Sequence, residues 1–377
     1  MARSSKGEGS LYRDGNTWKG YVTVGGKRRY YSAQTKVEAG LKRRALLNQR
    51  DTGELSPGKA PTVSAWLAQW MKITESEHRA STHAGYAGYI KNYIEPAIGE
   101  IRLDKLTIDS LESFYSDLEQ RGLSGSTRHQ VHSIIRVALK QAVWRGHVGR
   151  NVAALIKPPT ASKPRTEGFS SEDLLAISAA LIGHRYEARW HLGLALGLRP
   201  GEATALEWSH IDFENSTVTV TQQLQQVNGQ GTILVPYTKT DSGSRTISVP
   251  TFIIEMLTET RTRQLLERKQ AGPNWTDWAP DGQPHAFCFT QWNGQPLRPG
   301  LDGDQWKNIL ASAGLPHTRR YTARHTAATW LIAHGIDPVT VSKILGHHTA
   351  SFTLNTYVHA LDERIVEAAN VLDKLRQ

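Results

Sequence analysis

Five side chains in the second half of the sequence have types and an order suited to phosphodiester chemistry. Arg199 lies in LALGLRPGEATALEW, Lys239 in YTKTDSGSRTISVP, Arg324 in ARHTAATWLIAHG, His347 in ILGHHT and Tyr357 in TLNTYVHA. Tyr357 follows His347 by ten residues, and His347 follows Arg324 by 23. Cutting DNA without a metal requires a nucleophile for phosphorus, cations for the phosphorane-like transition state and an acid for the leaving 5′ oxygen. Arginine suits the second task, because its planar fork binds two non-bridging oxygens and stays protonated. A lysine on a loop can bring its ammonium to the leaving oxygen, and a histidine can hydrogen-bond the phosphate. Each residue alone has a plainer reading: salt-bridge arginines, an exposed lysine, a capping histidine and a core tyrosine beside Leu354 and Val358. Their order and spacing together raise the chemical reading above these.

The elements that must position them are legible in part. Gly197, Pro200 and Gly201 predict a helix-to-helix turn that would aim Arg199. Arg324 is expected to begin a helix, where the N-terminal dipole adds to the attraction for phosphate. His347 follows Leu345-Gly346 at a helix end. Strands are predicted at Thr217–Thr221, Gly231–Tyr237 and Arg245–Val249, the last two forming a hairpin through Asp241-Ser242-Gly243 with Lys239 on its shoulder. Helices dominate from residue 251. The final stretch VHALDERIVEAANVLDKL has helical spacing, with Ile365, Val366, Ala369, Leu372 and Leu375 apolar. It fits equally a helix packed on a neighbouring copy and one closing its own core.

Upstream, TWKGYVTVGGKRRYYS reads as strands joined at Gly25-Gly26. A helix from about Thr35 to Asp51 follows, with Val37, Leu41 and Leu47 apolar, Lys42, Arg43, Arg44 and Arg50 basic, and Gly53 as its stop. A small sheet backed by one helix can lay a strand face into a DNA groove, which makes Lys27, Arg28, Arg29, Tyr30 and Tyr31 candidate contacts. SPGKAP at 56–61 and KPPTASKPRT at 157–166 read as linkers. Between them helices are predicted near 62–73, 81–94, 107–120 and 125–145. In the last, Val131, Ile134, Ile135, Ala138, Leu139 and Ala142 form an apolar stripe, and Arg128, His132, Arg136 and Lys140 a basic ridge beside it. Such a ridge suits a module that clamps a duplex; its alternative, like that of the hairpin cations, is a solvated face.

The 377 residues, 39% hydrophobic and 21% charged, predict two or three globular domains. Net charge is +10, and its distribution points to a polyanion held by the first part of the chain. Residues 1–60 carry a surplus of eight positive charges and residues 61–163 a surplus of four, whereas the remainder is slightly acidic. The single cysteine, Cys288, excludes an intramolecular disulfide and a Cys-based zinc site. No apolar run approaches a membrane span and no signal-peptide pattern opens the chain, so a cytoplasmic protein with no membrane partner is expected.

GLRPGE, TKT-x-S-G-S-R, an x-x-x-R-H-T helix, LGHHT and T-x-x-x-Y-x-H in this order resemble the tyrosine recombinase (phage integrase) family. The motifs cover residues 165–377 and are highly specific as a set. The three-segment layout is similar to temperate-phage and integrative-element integrases. The resemblance implies a multidomain fold, mainly α with small β-sheets. It comprises an arm-type DNA-binding domain at 1–58 (a three-stranded sheet plus helix), a helical core-binding domain at 59–160 and a mixed α/β catalytic domain at 165–377. It implies site-specific recombination at attachment sites through a 3′-phosphotyrosyl intermediate and a Holliday junction, with no metal and no cofactor. It implies as partners double-stranded DNA with core-type and arm-type sites and a homotetramer on DNA, with room for a DNA-bending host factor and a directionality factor. Carried over, Tyr357 is the nucleophile, Arg199 and Arg324 clamp the scissile phosphate, Lys239 is the leaving-group acid and His347 a phosphate donor. Glu202 matches an acidic position that orients the active-site turn.

One position departs from the family pattern. Three residues before the second arginine the family usually places histidine, and here Tyr321 stands. A phenol with a pKa near ~10 is a poor base at neutral pH, yet Tyr321 can hydrogen-bond the phosphate or order a water, and it is a second tyrosine near the site. Tyr357 is the favoured nucleophile. The competing readings are a type IB topoisomerase, which shares this chemistry, and a DNA-binding factor that has the fold without catalysis.

Overall fold

The computed structural model describes residues 9–24, 26–51, 60–161, 168–237, 243–280 and 282–347. Lys239, Tyr357, the helical stretch after it, Gly53 and Asp241-Ser242 lie outside the described residues. Backbone contacts divide the chain into two compact units, Met1–Pro164 and Arg165–Gln377.

The first unit opens with an antiparallel sheet of β1 (Ser10–Asp14), β2 (Thr17–Val24) and β3 (Lys27–Ala33), in that order. Val24 pairs with Lys27, so the expected two-residue turn falls between them, with Gly26 at φ of 78°. Helix α1 (Lys36–Asp51) starts where Thr35 Oγ1 accepts the Glu38 amide. It covers the face bearing Val22, Val24, Tyr31 and Ala33 with Ala39, Leu46 and Leu47. Val37 and Leu41, apolar in the sequence pattern, face solvent instead.

The helical part comprises α2 (Val63–Ile73), α3 (Ala80–Tyr89), α4 (Glu95–Ile98), α5 (Ile108–Gln120) and α6 (Gly125–Trp144). A π-helical turn, Ile90–Ile94, makes α3 and α4 nearly continuous. Pro96 has no N–H and its ring crowds the carbonyl four residues back, so the turn ahead of it widens and Glu95 N donates to Ile90 O. The core joins Trp66, Trp70, Ile94, Leu111, Phe114 and Leu118 to the α6 stripe Val131, Ile134, Ile135, Ala138, Leu139 and Ala142. The expected stripe is therefore the one buried.

The second unit runs through α7 (Ser171–Leu181), α8 (Glu187–Leu196) and the short α9 (Pro200–Thr204). Then come β4 (Ile211–Asp212), β5 (Thr217–Val220), β6 (Gln222–Val227), β7 (Gly231–Pro236) and β8 (Arg245–Ser248). Helices α10 (Thr251–Ala271), α11 (Pro299–Ser312), α12 (Tyr321–Ala333) and α13 (Pro338–Leu345) complete it. Trp190 and Trp306 stack with centroids 4.7 Å apart at the centre of its core.

The strand pairing corrects the sequence reading. β7 and β8 do not form a hairpin. β7 pairs with β6 across the Asn228–Gln230 turn, while β8 crosses back to β5 in a sheet of order β4-β5-β8. β6, QQLQQV, went unread because glutamines mask a strand whose inward residues are only Leu224 and Val227.

Candidate active site

Helix α8 ends on Gly197, whose φ of 64° is left-handed and suits a residue without Cβ. A Cβ there would lie 2.3 Å from Leu345 Cδ2, so the turn and the end of α13 touch. Pro200 starts α9 at its first position, where a missing N–H costs nothing. The turn between these two residues presents Arg199, as its glycines and proline predict. Arg199 is partly exposed, its side chain keeping a quarter of its surface.

Glu202 is the hub. Its carboxylate is fully buried and accepts from Arg199 Nη1 at 2.6 Å, Arg199 N at 2.9 Å, Arg245 Nη1 at 3.2 Å, Arg245 Nη2 at 2.9 Å and Tyr237 Oη at 3.1 Å. Burial opposes its charge, but Arg245 and Arg199 outweigh burial and hold its pKa down to about 2. The Tyr237 phenol is pushed well up, by burial first and by the Glu202 charge second.

Arg324 lies one turn into α12 and is buried. Its Nη1 donates to Gly197 O and its Nη2 to Leu345 O, both at 2.6 Å. Burial first, and then the Arg199 charge, lower its pKa to about 10, which leaves it cationic at neutral pH. The helix starts three residues earlier than the sequence suggests, at Tyr321. That residue is thus the first of the helix, about half exposed, rather than a residue ahead of it. The start is tied down from behind, where buried Asp302 accepts from Arg320 Nη1 and Arg189 Nη2, both at 2.6 Å.

α13 ends on Gly346 with φ of 67°, and His347 follows, its N–H donating to Ser342 O at 3.0 Å. Burial, then Arg324, Arg199 and Arg245 in turn, lower the His347 pKa to about 4. The imidazole is therefore neutral at neutral pH and can donate from one nitrogen to a phosphate oxygen.

The fold thus gathers Arg199, Glu202, Arg324 and His347, far apart in sequence, and places Tyr321 on the same helix turn as Arg324. It adds Arg245 and Tyr237, which the sequence reading passed over. Arg245 stands in the S-G-S-R run, but an arginine there is by default solvated, and only the tertiary fold buries and pairs it. Three guanidiniums around one carboxylate leave a positive surplus suited to an anion.

The first unit presents separate cationic faces. Arg28 and Tyr30 are exposed on the open face of the sheet, where Arg28 stacks over Tyr21 at 4.4 Å. Lys27 is exposed at the hairpin end. One of the candidate contacts, Tyr31, is corrected, and Arg29 is less exposed than its neighbours. Tyr31 is buried with its hydroxyl on Ser10 O at 2.6 Å, and Arg29 is partly buried in register with Val22 on the α1 side. On α6, Arg136 and Lys140 are exposed, Lys140 over Trp144 at 4.8 Å. Arg128 pairs with Glu119 at 2.7 Å. His132 does not belong to the ridge: it is buried, 3.1 Å from Tyr115 Oη, and burial lowers its pKa. A position four residues from Arg128 and Arg136 falls beside the apolar stripe, and the fold turned that boundary inward.

A model of the phage integrase family matches residues 166–364, and a model of the phage integrase N-terminal SAM-like domain matches residues 62–118. The chain is 29% identical over 423 residues to an integrase of Saccharopolyspora erythraea, covering 96% of this chain and 94% of that protein. It is 28% identical over 375 residues to a tyrosine recombinase XerC-like protein of Caldanaerobacter subterraneus, covering 94% and 95%. Among solved structures, the Tn1549 transposon integrase in complex with transposon right end DNA superposes with a TM-score of 0.70 at 20% identity, over 84% of this chain and 100% of that one. A lambda integrase tetramer bound to a Holliday junction gives 0.57 at 16% identity, over 91% and 94%.

Proposed function

The chain belongs to the phage integrase family and is a tyrosine-type site-specific DNA recombinase, and from that premise we propose how its residues divide the work. Tyr357 attacks the scissile phosphate, its phenolic oxygen giving up its proton to water and forming a P–O bond as the bond to the 5′ oxygen breaks. The ammonium of Lys239 gives its proton to the departing 5′ oxygen. Arg199 and Arg324 hold the non-bridging oxygens, where the guanidiniums offset the charge that builds in the transition state. His347 donates a further hydrogen bond, and Tyr321, on the same turn as Arg324, hydrogen-bonds the phosphate or a water. The 3′-phosphotyrosyl ester conserves the bond energy, so attack by a 5′ hydroxyl of the partner duplex rejoins the strand without a cofactor. Two such exchanges pass through a Holliday junction.

The observation that supports this division most directly is the convergence of Arg199, Arg324 and His347 at the end of α13, with half-exposed Tyr321 on the same helix turn as Arg324. Residues 1–58 would bind arm-type sites, 59–160 core-type sites, and 165–377 carry out cleavage. Of the candidate cations, Lys27 and Arg28 on the sheet and Arg136 and Lys140 on α6 are exposed and available to phosphates. The enzyme would act in the cytoplasm as a homotetramer on DNA, with a DNA-bending host factor and a directionality factor as accessory partners. No helix among the described residues is long and apolar enough to cross a membrane. Family membership favours recombination over strand relaxation by a topoisomerase and over binding without cleavage.

A nicked suicide substrate, which traps the covalent intermediate, tests the assignment. Tyr357→Phe should abolish the protein–DNA adduct and Tyr321→Phe should retain it. An adduct formed by Tyr357→Phe would overturn the choice of nucleophile.

A further inference from the structure

Asp302, on α11, is a second buried carboxylate that holds two arginines. Arg189 of α8 meets it with its fork, Nε donating to Oδ1 at 2.5 Å and Nη2 to Oδ2 at 2.6 Å. Arg320, at the start of α12, adds Nη1 on Oδ2 at 2.6 Å. The arrangement repeats the one at Glu202. There Arg245 keeps 7% of its side-chain surface and Arg199 25%; here Arg189 keeps 2% and Arg320 27%, and both carboxylates are fully buried. Each carboxylate thus has one arginine shut inside and one presented at the surface. The fork of Arg189 already pairs both oxygens of Asp302 and balances its charge, so Arg320 brings a positive charge that the cluster does not need. Its Nε and Nη2 have no partner among the described residues.

We propose that Arg320 is a further phosphate clamp, which binds a phosphodiester flanking the scissile one while Asp302 holds it as Glu202 holds Arg199. This rests on the reading of Arg199 and Arg324 as the clamps of the scissile phosphate. Arg320 has helical φ and ψ, which puts it one turn ahead of Arg324 on the same face of α12, about 5.4 Å along the axis. Tyr321, the next residue, is near enough to act on the charges of both Arg199 and Arg324. A guanidinium one turn from the clamp and pinned to Asp302 suits a neighbouring phosphate rather than the reacting one. An arginine free in solvent loses rotamer entropy when it binds, and one already held by a buried carboxylate loses less. Contacts of this kind fix the register and orientation of a duplex without reading its sequence. Arg320 would therefore settle where the strand lies, while Arg199 and Arg324 act on the phosphate that reacts.

The test places methylphosphonate linkages, each removing the charge of one phosphate, singly around the cleavage site of the suicide substrate and measures DNA affinity. Arg320→Gln removes the cation and leaves Asp302 paired with Arg189. On all-phosphate DNA its affinity should fall about tenfold, the low end for a charge-assisted hydrogen bond. The slope of log affinity against log salt should become shallower by about one. One flanking methylphosphonate should absorb this loss: the parent binds that duplex as weakly as Arg320→Gln binds phosphate DNA, and the variant loses nothing more on it. Losses that add at every position, or an unchanged slope, overturn the clamp and leave Arg320 a brace for α12. If Arg320→Gln does not fold, Arg320→Lys keeps a charge for Asp302 and runs the same cycle, its smaller loss again vanishing at one flanking position or refuting the proposal by vanishing at none. Arg199→Lys and Arg324→Lys separate the underlying reading. If both cleave normally, the scissile clamp is misassigned and Arg320 cannot be its flank; if both are impaired and no phosphate absorbs the Arg320 loss, the flanking clamp alone is wrong.

Discussion

Arg324 Nη2 donates to the carbonyl of Leu345 at 2.6 Å, and on either side of that carbonyl Arg245 takes Ile344 O and Arg199 takes Gly346 O. Three consecutive carbonyls at the end of one helix therefore hold the three arginines of the site. The last carbonyls of a helix lack intrahelical donors, and its C-terminal end carries partial negative charge. Both needs are met by the guanidiniums, which fixes Arg199 and Arg324 in place ahead of any anion. The same helix end leads directly into His347.

Replacing Arg324 by lysine keeps the charge and loses the fork. A single ammonium cannot serve Gly197 O, Leu345 O and a phosphate together. Arg324→Lys should lower cleavage at least about a hundredfold, the scale of losing one transition-state donor, with a smaller effect on DNA affinity. Single-turnover cleavage beside a binding titration checks this, and unchanged cleavage would refute it.

Glu202→Gln removes a buried charge facing Arg199 and Arg245. Breaking such a pair leaves cations uncompensated, and we expect a loss of roughly 3–5 kcal/mol in urea unfolding. Cleavage should fall with it, because Arg199 loses the carboxylate that orients it.

Acid should weaken the fold in two windows. The folded-state pKa of His347, about 4, lies below the ordinary histidine value of 6.5. As pH falls the unfolded chain takes up this proton first, so this contribution is fully present above 6.5 and declines until about pH 4. Glu202 has a folded pKa of about 2 against an ordinary value of 4.5. Its contribution is present above 4.5 and is lost as pH falls through about 2. Urea midpoints against pH should therefore decline less steeply between 6.5 and about 4 for His347→Gln, with other buried histidines accounting for the remainder.

Gly197→Ala forces a Cβ into a left-handed backbone, costing about 1–2 kcal/mol, and into Leu345 Cδ2. Displacing Leu345 also moves the carbonyl that Arg324 holds, so cleavage should fall more than stability. Adding Leu345→Ala removes the clash but not the backbone strain, and it should restore part of the activity. No recovery in the double variant would argue that the close approach is not what matters.

In the first unit, removing one cation that neutralises a DNA phosphate should make the slope of log affinity against log salt shallower by about one. Arg136→Ala and Lys140→Ala should do so. His132→Ala should leave the slope unchanged and lower thermal stability, because that ring is packed in the core against Tyr115. Salt titrations of DNA affinity beside thermal melts separate the two kinds of residue.

Local signals fixed much of this protein. The Gly-Gly turn, the α6 stripe and the Gly197–Pro200 turn are short-range consequences of backbone freedom and helical period, and each is visible in a few adjacent residues. The order of Arg199, Lys239, Arg324, His347 and Tyr357 carried the family likewise. What the sequence did not decide depends on which distant groups meet. β8 chose β5 over β7 because strand pairing is settled by non-local hydrogen bonds and packing. His132 turned inward because a residue at the edge of an apolar stripe can face either way until neighbouring elements cover it. Arg245 and Glu202 became the centre of the site only when burial removed the water that would otherwise have served their charges, and that requires the whole second unit to close around them.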